Sequence, residues 1–89
     1  MTLIEYNNLS ISQRLDLAWE WAYFVCKNTI GNRMTVIFFM DGFFVEICLG
    51  IYDNKTELVM GITKEEFEQR FVSTNKNRHF FEKNTLIRT

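Results

Sequence analysis

The chain has no proline in 89 residues, only four glycines, two cysteines and a single histidine. Each scarcity excludes something. Two cysteines cannot staple a small disulfide scaffold or fill a four-ligand zinc site. One histidine leaves nucleophilic triads and most metal sites without their usual base or ligand. Charge of one sign is missing as well, with 10 Lys+Arg against 11 Asp+Glu. That balance disfavours nucleic acid as a partner, because such binding rests on a basic surface that neutralises phosphates. No apolar run approaches the roughly 20 residues of a membrane-spanning helix. The opening Met1-Thr2-Leu3-Ile4-Glu5 is acidic and breaks at Asn7-Asn8, unlike a signal peptide. A cytoplasmic location, away from membranes, is expected. Phosphate-cradling glycine loops and nucleophile elbows are absent from the sequence. No catalytic residue, cofactor-binding residue or metal ligand is assigned, and no cofactor is expected.

What is present is apolar surface. Hydrophobic residues make up 47% of the chain and aromatics 16%, nine of them Phe. A disordered segment would lack that surface, and the length suits one domain spanning residues 1–89. Residues 1–9 read as a short lead-in. Ser10 with Gln13 then forms a capping box, and the pattern predicts an amphipathic helix over residues 10–30, stopped by Gly31. At about 100° per residue, Ile11, Leu15, Ala18, Ala22 and Val25 share one stripe, flanked by Trp19 and Cys26 on one side and Trp21 on the other.

Residues 33–62 predict a three-stranded antiparallel meander. Asp41-Gly42 between apolar runs is a strong hairpin signal, because a type I′ turn needs positive φ at both central positions. A two-residue loop there pairs Met40 with Phe43, Phe38 with Val45, Val36 with Ile47 and Met34 with Leu49, an entirely apolar face. A second turn centred on Asp53-Asn54 predicts Leu49–Leu58, Ile47–Met60 and Val45–Ile62 on the same face. The opposite face would then carry Thr35–Cys48–Val59, Ile37–Glu46–Gly61 and Phe39–Phe44. Thr63-Lys64-Glu65-Glu66 is a second capping box, and it opens a short helix over 63–73 with Phe67 and Phe71 at i, i+4 spacing. Residues 74–89 read either as a basic tail or as a segment docked on the second sheet face through His79-Phe80-Phe81 and Leu86-Ile87. From Ser73 on, the chain carries a formal +3, against −4 for residues 1–72. The expected class is thus α+β: an N-terminal helix on a three-stranded meander, then a short C-terminal helix and tail.

The order of these motifs resembles a group of small uncharacterised bacterial α+β proteins. The likeness rests on the helix with Trp19-Glu20 and the hairpin Asp41-Gly42-Phe43-Phe44-Val45-Glu46-Ile47, and spans roughly Ser10 to Ile62. The resemblance implies the fold order and brings no activity and no functional residue. This chain departs from the group in having Trp21-Ala22 after Trp19-Glu20, where a polar residue and Gly are usual.

Candidate chemistry is thin. Glu46, mid-strand on a mixed face, is a possible acid or base and reads more often as half-exposed or paired with a cation such as Arg33. Cys26 and Cys48 behave by default as small buried hydrophobes, and His79 stands alone. Asn75 to Phe81 mixes basic and aromatic residues in the manner of single-strand binders, within a chain whose remainder is acidic. A domain this small buries only roughly 60–65% of its unfolded surface, so one helix over one sheet face makes a thin core. A second layer over Phe39 and Phe44 must come from the C-terminal segment or from another chain. The apolar surplus therefore points to a non-enzymatic protein-interaction module. It would self-associate as a dimer, or bind another protein as a small inhibitor or antitoxin-like chain, through Ile37, Phe39, Phe44, Val59, Phe67 and Phe71. The alternative is a small-molecule binder or minor enzyme with a pocket near Trp19 and Trp21, with Glu20 or Glu46 as the polar contact.

Overall fold

Three capping boxes set where the helices begin. Thr2 with Glu5, Ser10 with Gln13 and Thr63 with Glu66 each close both reciprocal hydrogen bonds. In the computed structural model, which describes residues 1–73, they open α1 (Leu3–Asn7), α2 (Ile11–Trp21) and α3 (Lys64–Phe67). Four strands lie between α2 and α3: β1 (Tyr23–Ile30), β2 (Arg33–Met40), β3 (Phe43–Gly50) and β4 (Thr56–Ile62). They form one antiparallel sheet in sequential order. Beyond α3 the chain continues as a π-helical stretch, Glu68–Ser73. The expected tail, residues 74–89 with His79, lies outside the described residues.

The long helix expected over 10–30 ends at Trp21, and the sheet has four strands rather than three. Ala22 is already extended, at φ −88° and ψ 153°. Residues 23–30 carry Tyr23, Phe24, Val25, Thr29 and Ile30, aromatic and β-branched types that suit a pleated surface. Gly31-Asn32 is a hairpin turn, not a helix stop. Gly31 has φ +62° while Asn32 does not enter the positive-φ region, as a type II′ turn requires. Pairing with β1 also satisfies the backbone of β2, which otherwise would be an edge.

The β2–β3 hairpin folds as its sequence predicts. Asp41 and Gly42 sit at φ +49° and +88°, and Met40–Phe43, Phe38–Val45, Val36–Ile47 and Met34–Leu49 are the observed pairs. The β3–β4 register is shifted by one residue from expectation. Leu49 pairs with Thr56, then Cys48 with Leu58, Ile47 with Val59, Val45 with Gly61 and Phe44 with Ile62. Glu57 is left over as a bulge. The connection is a five-residue loop closed by Gly50 N–H to the Lys55 carbonyl at 3.0 Å and Asn54 N–H to the Gly50 carbonyl at 3.1 Å. A loop of that length does not impose the two-residue register.

The shift exchanges the faces of β4. Val59, expected on the second face, lies on the first, in a core with Tyr6, Ala18, Met40, Phe43, Val45 and Ile47 under α1 and α2. Gly61 sits beneath α1, where a Cβ would come within 2.5 Å of Leu3 Cδ1 and 3.2 Å of Tyr6. Ile62 goes to the second face, in a smaller core with Cys26, Ile37, Phe67 and Phe71. That second layer comes from the chain itself. Phe67 stacks on Phe44 with centroids 4.2 Å apart and planes 11° from parallel, and Phe71 follows at 5.6 Å.

Candidate functional site

Three features stand out against this frame: a buried carboxylate, an aromatic rim, and two sheet edges treated differently.

Glu46 occupies the central strand β3 and is only 3% exposed. It faces the second layer, opposite Ile37 and Met60. Its Oε2 accepts a hydrogen bond from Arg70 Nη2 at 2.6 Å, across to the π-helical stretch. The expected partner Arg33 pairs instead with the bulged Glu57 at 2.7 Å. Cys48 Sγ lies 3.7 Å from the same Oε2 and 3.4 Å from Thr35 Oγ1. Oε1 is buried and has no hydrogen-bond partner among the described residues. Only the carboxylate end of this ion pair is buried, the Arg70 side chain being 47% exposed, and the contact links Glu68–Ser73 to β3. Burial pushes the Cys48 thiol up, and it pushes Cys26 up to about 11. Both thiols are protonated at neutral pH and are poor nucleophiles. Among the described residues no three of His, Cys, Asp and Glu gather as metal ligands, and no helix is long and apolar enough to cross a membrane.

The aromatic rim forms where α2 hands over to β1. Trp19 is 84% exposed, Trp21 62% and Tyr23 75%, with Phe24 and Phe39 also exposed. The tryptophans that flank the stripe therefore lie in the open and not against the sheet. Trp21, Tyr23 and Phe39 line an open groove of about 410 Å³ with Leu17, Met40 and Asp41. Phe39 also packs edge-on against Phe44, and Phe24 against Phe38. Trp19 and Glu20 line a separate shallow hollow with Leu15 and Asp16. Glu46 lies on the opposite face of the sheet from α2, and among the described residues it lines neither the Trp19 hollow nor the Trp21 groove.

Of the residues expected at an interface, Ile37 and Val59 are fully buried, on opposite faces. Phe67 and Phe71 are buried against the sheet, Phe44 is half-buried, and Phe39 alone is exposed.

The sheet edges differ in their backbone chemistry. On β4, the Asn7 amide donates to the Gly61 carbonyl at 3.0 Å and its Oδ1 accepts from Gly61 N–H at 2.8 Å. Arg14 Nη1 donates to the Val59 carbonyl at 2.6 Å, while its other nitrogens hold the Asn7 and Leu9 carbonyls. Asn7 thus acts as a one-residue strand. Among the described residues no side chain or backbone group bonds the outer edge of β1. Sequence reasoning gave neither Asn7 nor Arg14 a bonding role, because nothing local marks a side chain that will bond 45 to 54 residues away. The Thr2–Glu5 capping box is the one local signal that would have placed Asn7 on a helix.

Comparison of the chain with family models, with curated proteins and with solved structures finds no match.

Proposed function

We propose that the chain is a non-enzymatic protein-interaction module whose contact surface is the rim of Trp21, Tyr23, Phe24 and Phe39. The observation that carries this reading is the exposure of Trp21, Tyr23 and Phe39 around one groove, with Phe24 exposed beside them on the other face of β1, in a domain that closes both of its sheet faces with its own helices. Tryptophan and tyrosine are the side chains most often central to protein–protein contacts, and exposed apolar patches of several hundred Å² mark such contacts. The interface read from the sequence moves accordingly, from the second sheet face to the α2–β1 junction, keeping Phe39.

The test is a double substitution, Trp21→Ser with Tyr23→Ser, in the full chain. Its circular dichroism should match the parent, while assembly measured by sedimentation, or capture of a protein partner, should fall at least tenfold. Unchanged association in a folded variant would defeat the reading. The groove beside Trp21 supports a second reading, a small aromatic ligand held against Trp21, Tyr23 and Phe39, where Asp41 is already paired with the Met1 ammonium at 3.1 Å. A saturable shift of tryptophan emission in a metabolite screen would favour it.

A further inference from the structure

The outer edge of β1 offers something more specific than an apolar patch. The two-residue Gly31-Asn32 turn makes Ile30 and Arg33 a hydrogen-bonded pair, so along β1 the backbone groups of Thr29 and Lys27 point away from β2. A row of outward N–H and C=O groups is matched by another extended strand and by little else. The opposite edge of the same sheet has that role filled internally by Asn7 and Arg14. The bulge at Val25 interrupts β1, which leaves Cys26–Ile30 as the regular pairing segment.

We propose that this edge pairs antiparallel with β1 of a second copy of the chain, with Asn28 on the two-fold axis, giving a continuous eight-stranded sheet. The proposal deepens the interaction reading above, and rests on it, by naming the partner and the register. The register follows from charge. Lys27 is the one charged residue in β1. Pairing centred on Lys27 would set two lysines face to face, which is unfavourable. Pairing centred on Thr29 would run Lys27 past the strand into the Gly31 turn. Centring on Asn28 sets Lys27 against Thr29 twice, exchanging backbone hydrogen bonds at both sites. It also sets Cys26 against Ile30, covering part of an isoleucine that is 73% exposed in the monomer. The strand contact is small, at the low end for specific interfaces, so the dimer is expected to be reversible with concentration. The rim residues Tyr23 and Phe24 flank the paired segment and are placed to extend the contact over the partner's turn.

The register makes the test sharp. Asn28→Cys, directly opposed across the axis in a non-hydrogen-bonded pair, should give a disulfide-linked dimer on mild oxidation, while Lys27→Cys and Thr29→Cys should not. Thr29→Glu places a carboxylate opposite Lys27 of the partner at two symmetric sites and should tighten the dimer about threefold to tenfold. Thr29→Lys should weaken it by a similar factor, both read by sedimentation across a concentration series of the full chain. A chain monomeric up to millimolar concentration would overturn the proposal. So would a dimer that forms without the Asn28→Cys cross-link and ignores charge at position 29. That last result, together with sensitivity to Trp21→Ser and Tyr23→Ser, would overturn strand pairing and leave the interaction reading standing. Loss of both responses would remove both.

Discussion

The two edges of the sheet are built from similar strands and finished in opposite ways. At β4 the chain folds α1 and α2 back so that Asn7 and Arg14 take up the carbonyls of Val59 and Gly61 and the N–H of Gly61. At β1, among the described residues, nothing does so, and the strand carries exposed Tyr23, Phe24 and Ile30. An unpaired strand edge is a template for association. A protein that plugs one edge with side chains and leaves the other open has a direction in which it can grow. The difference teaches that helices α1 and α2 do two things at once. They cover the first face with Tyr6, Leu15 and Ala18, and they terminate the sheet.

The comparison breaks most readily at Arg14. Arg14→Ala removes donors from the Val59, Leu9 and Asn7 carbonyls together, and Arg14 is only half-buried, which moderates the loss. Urea unfolding should show a destabilisation of about 3 kcal/mol, the scale of several charge-assisted hydrogen bonds. If the plug matters as argued, the variant should also associate more at high concentration.

Alkaline pH probes the same region more gently. Tyr6 is fully buried, and its hydroxyl donates to the Arg14 carbonyl at 2.7 Å. Desolvation pushes its pKa up to about 12, against about 10 for an exposed tyrosine. A raised folded-state value means the contribution is complete below pH 10 and is lost as the pH climbs toward 12. The full loss would be on the order of 2–3 kcal/mol. Cys26 shifts in the same sense at a lower pH, so the comparison to make is parent against Tyr6→Phe between pH 10 and 12. The variant should lose less stability over that interval.

The open edge should be nearly indifferent. Lys27→Ala, on an exposed strand with no ion pair among the described residues, should change monomer stability by no more than about 0.5 kcal/mol in dilute urea titrations. A large loss there would mean that β1 is held by its outer face after all.

How much of this was legible depended on the distance over which each feature is decided. The Ser10 and Thr63 boxes, the Asp41-Gly42 turn and the Met34–Leu49 to Met40–Phe43 pairings were readable, because each is settled by neighbours a few residues apart. Residues 23–30 were misread because Ala22, Val25 and Cys26 prolong the apolar stripe of α2 while Tyr23, Phe24 and Ile30 suit a strand. Periodicity alone does not arbitrate between the two. Gly31-Asn32 was the overlooked clue, a turn dipeptide read as a helix stop. The register of β4 failed on one bulged residue, Glu57, since a single insertion moves every later side chain to the other face. Of the site, Trp21 and Phe39 drew notice in the sequence, Trp21 as a flank of the helix stripe beside a pocket and Phe39 as part of a sheet face. That they border one groove depends on where α2 ends.

What the sequence by itself determined was local chemistry: the helix starts at Ser10 and Thr63, one type I′ hairpin, an α+β composition and a surplus of aromatic surface. These follow from hydrogen bonds and φ preferences that act within a few residues. Only the tertiary structure decided that 23–30 is a strand, that Val59 and Ile62 point to opposite cores, that Arg70 rather than Arg33 meets Glu46, and that one edge is closed while the other stays open. The Glu46–Arg70 pair and the closed edge turn on contacts between residues 24 to 54 positions apart, and the strand at 23–30 on its pairing with residues 33–39. The burial and hydrogen bonding gained there outweigh the weak local preferences that any short stretch of chain expresses.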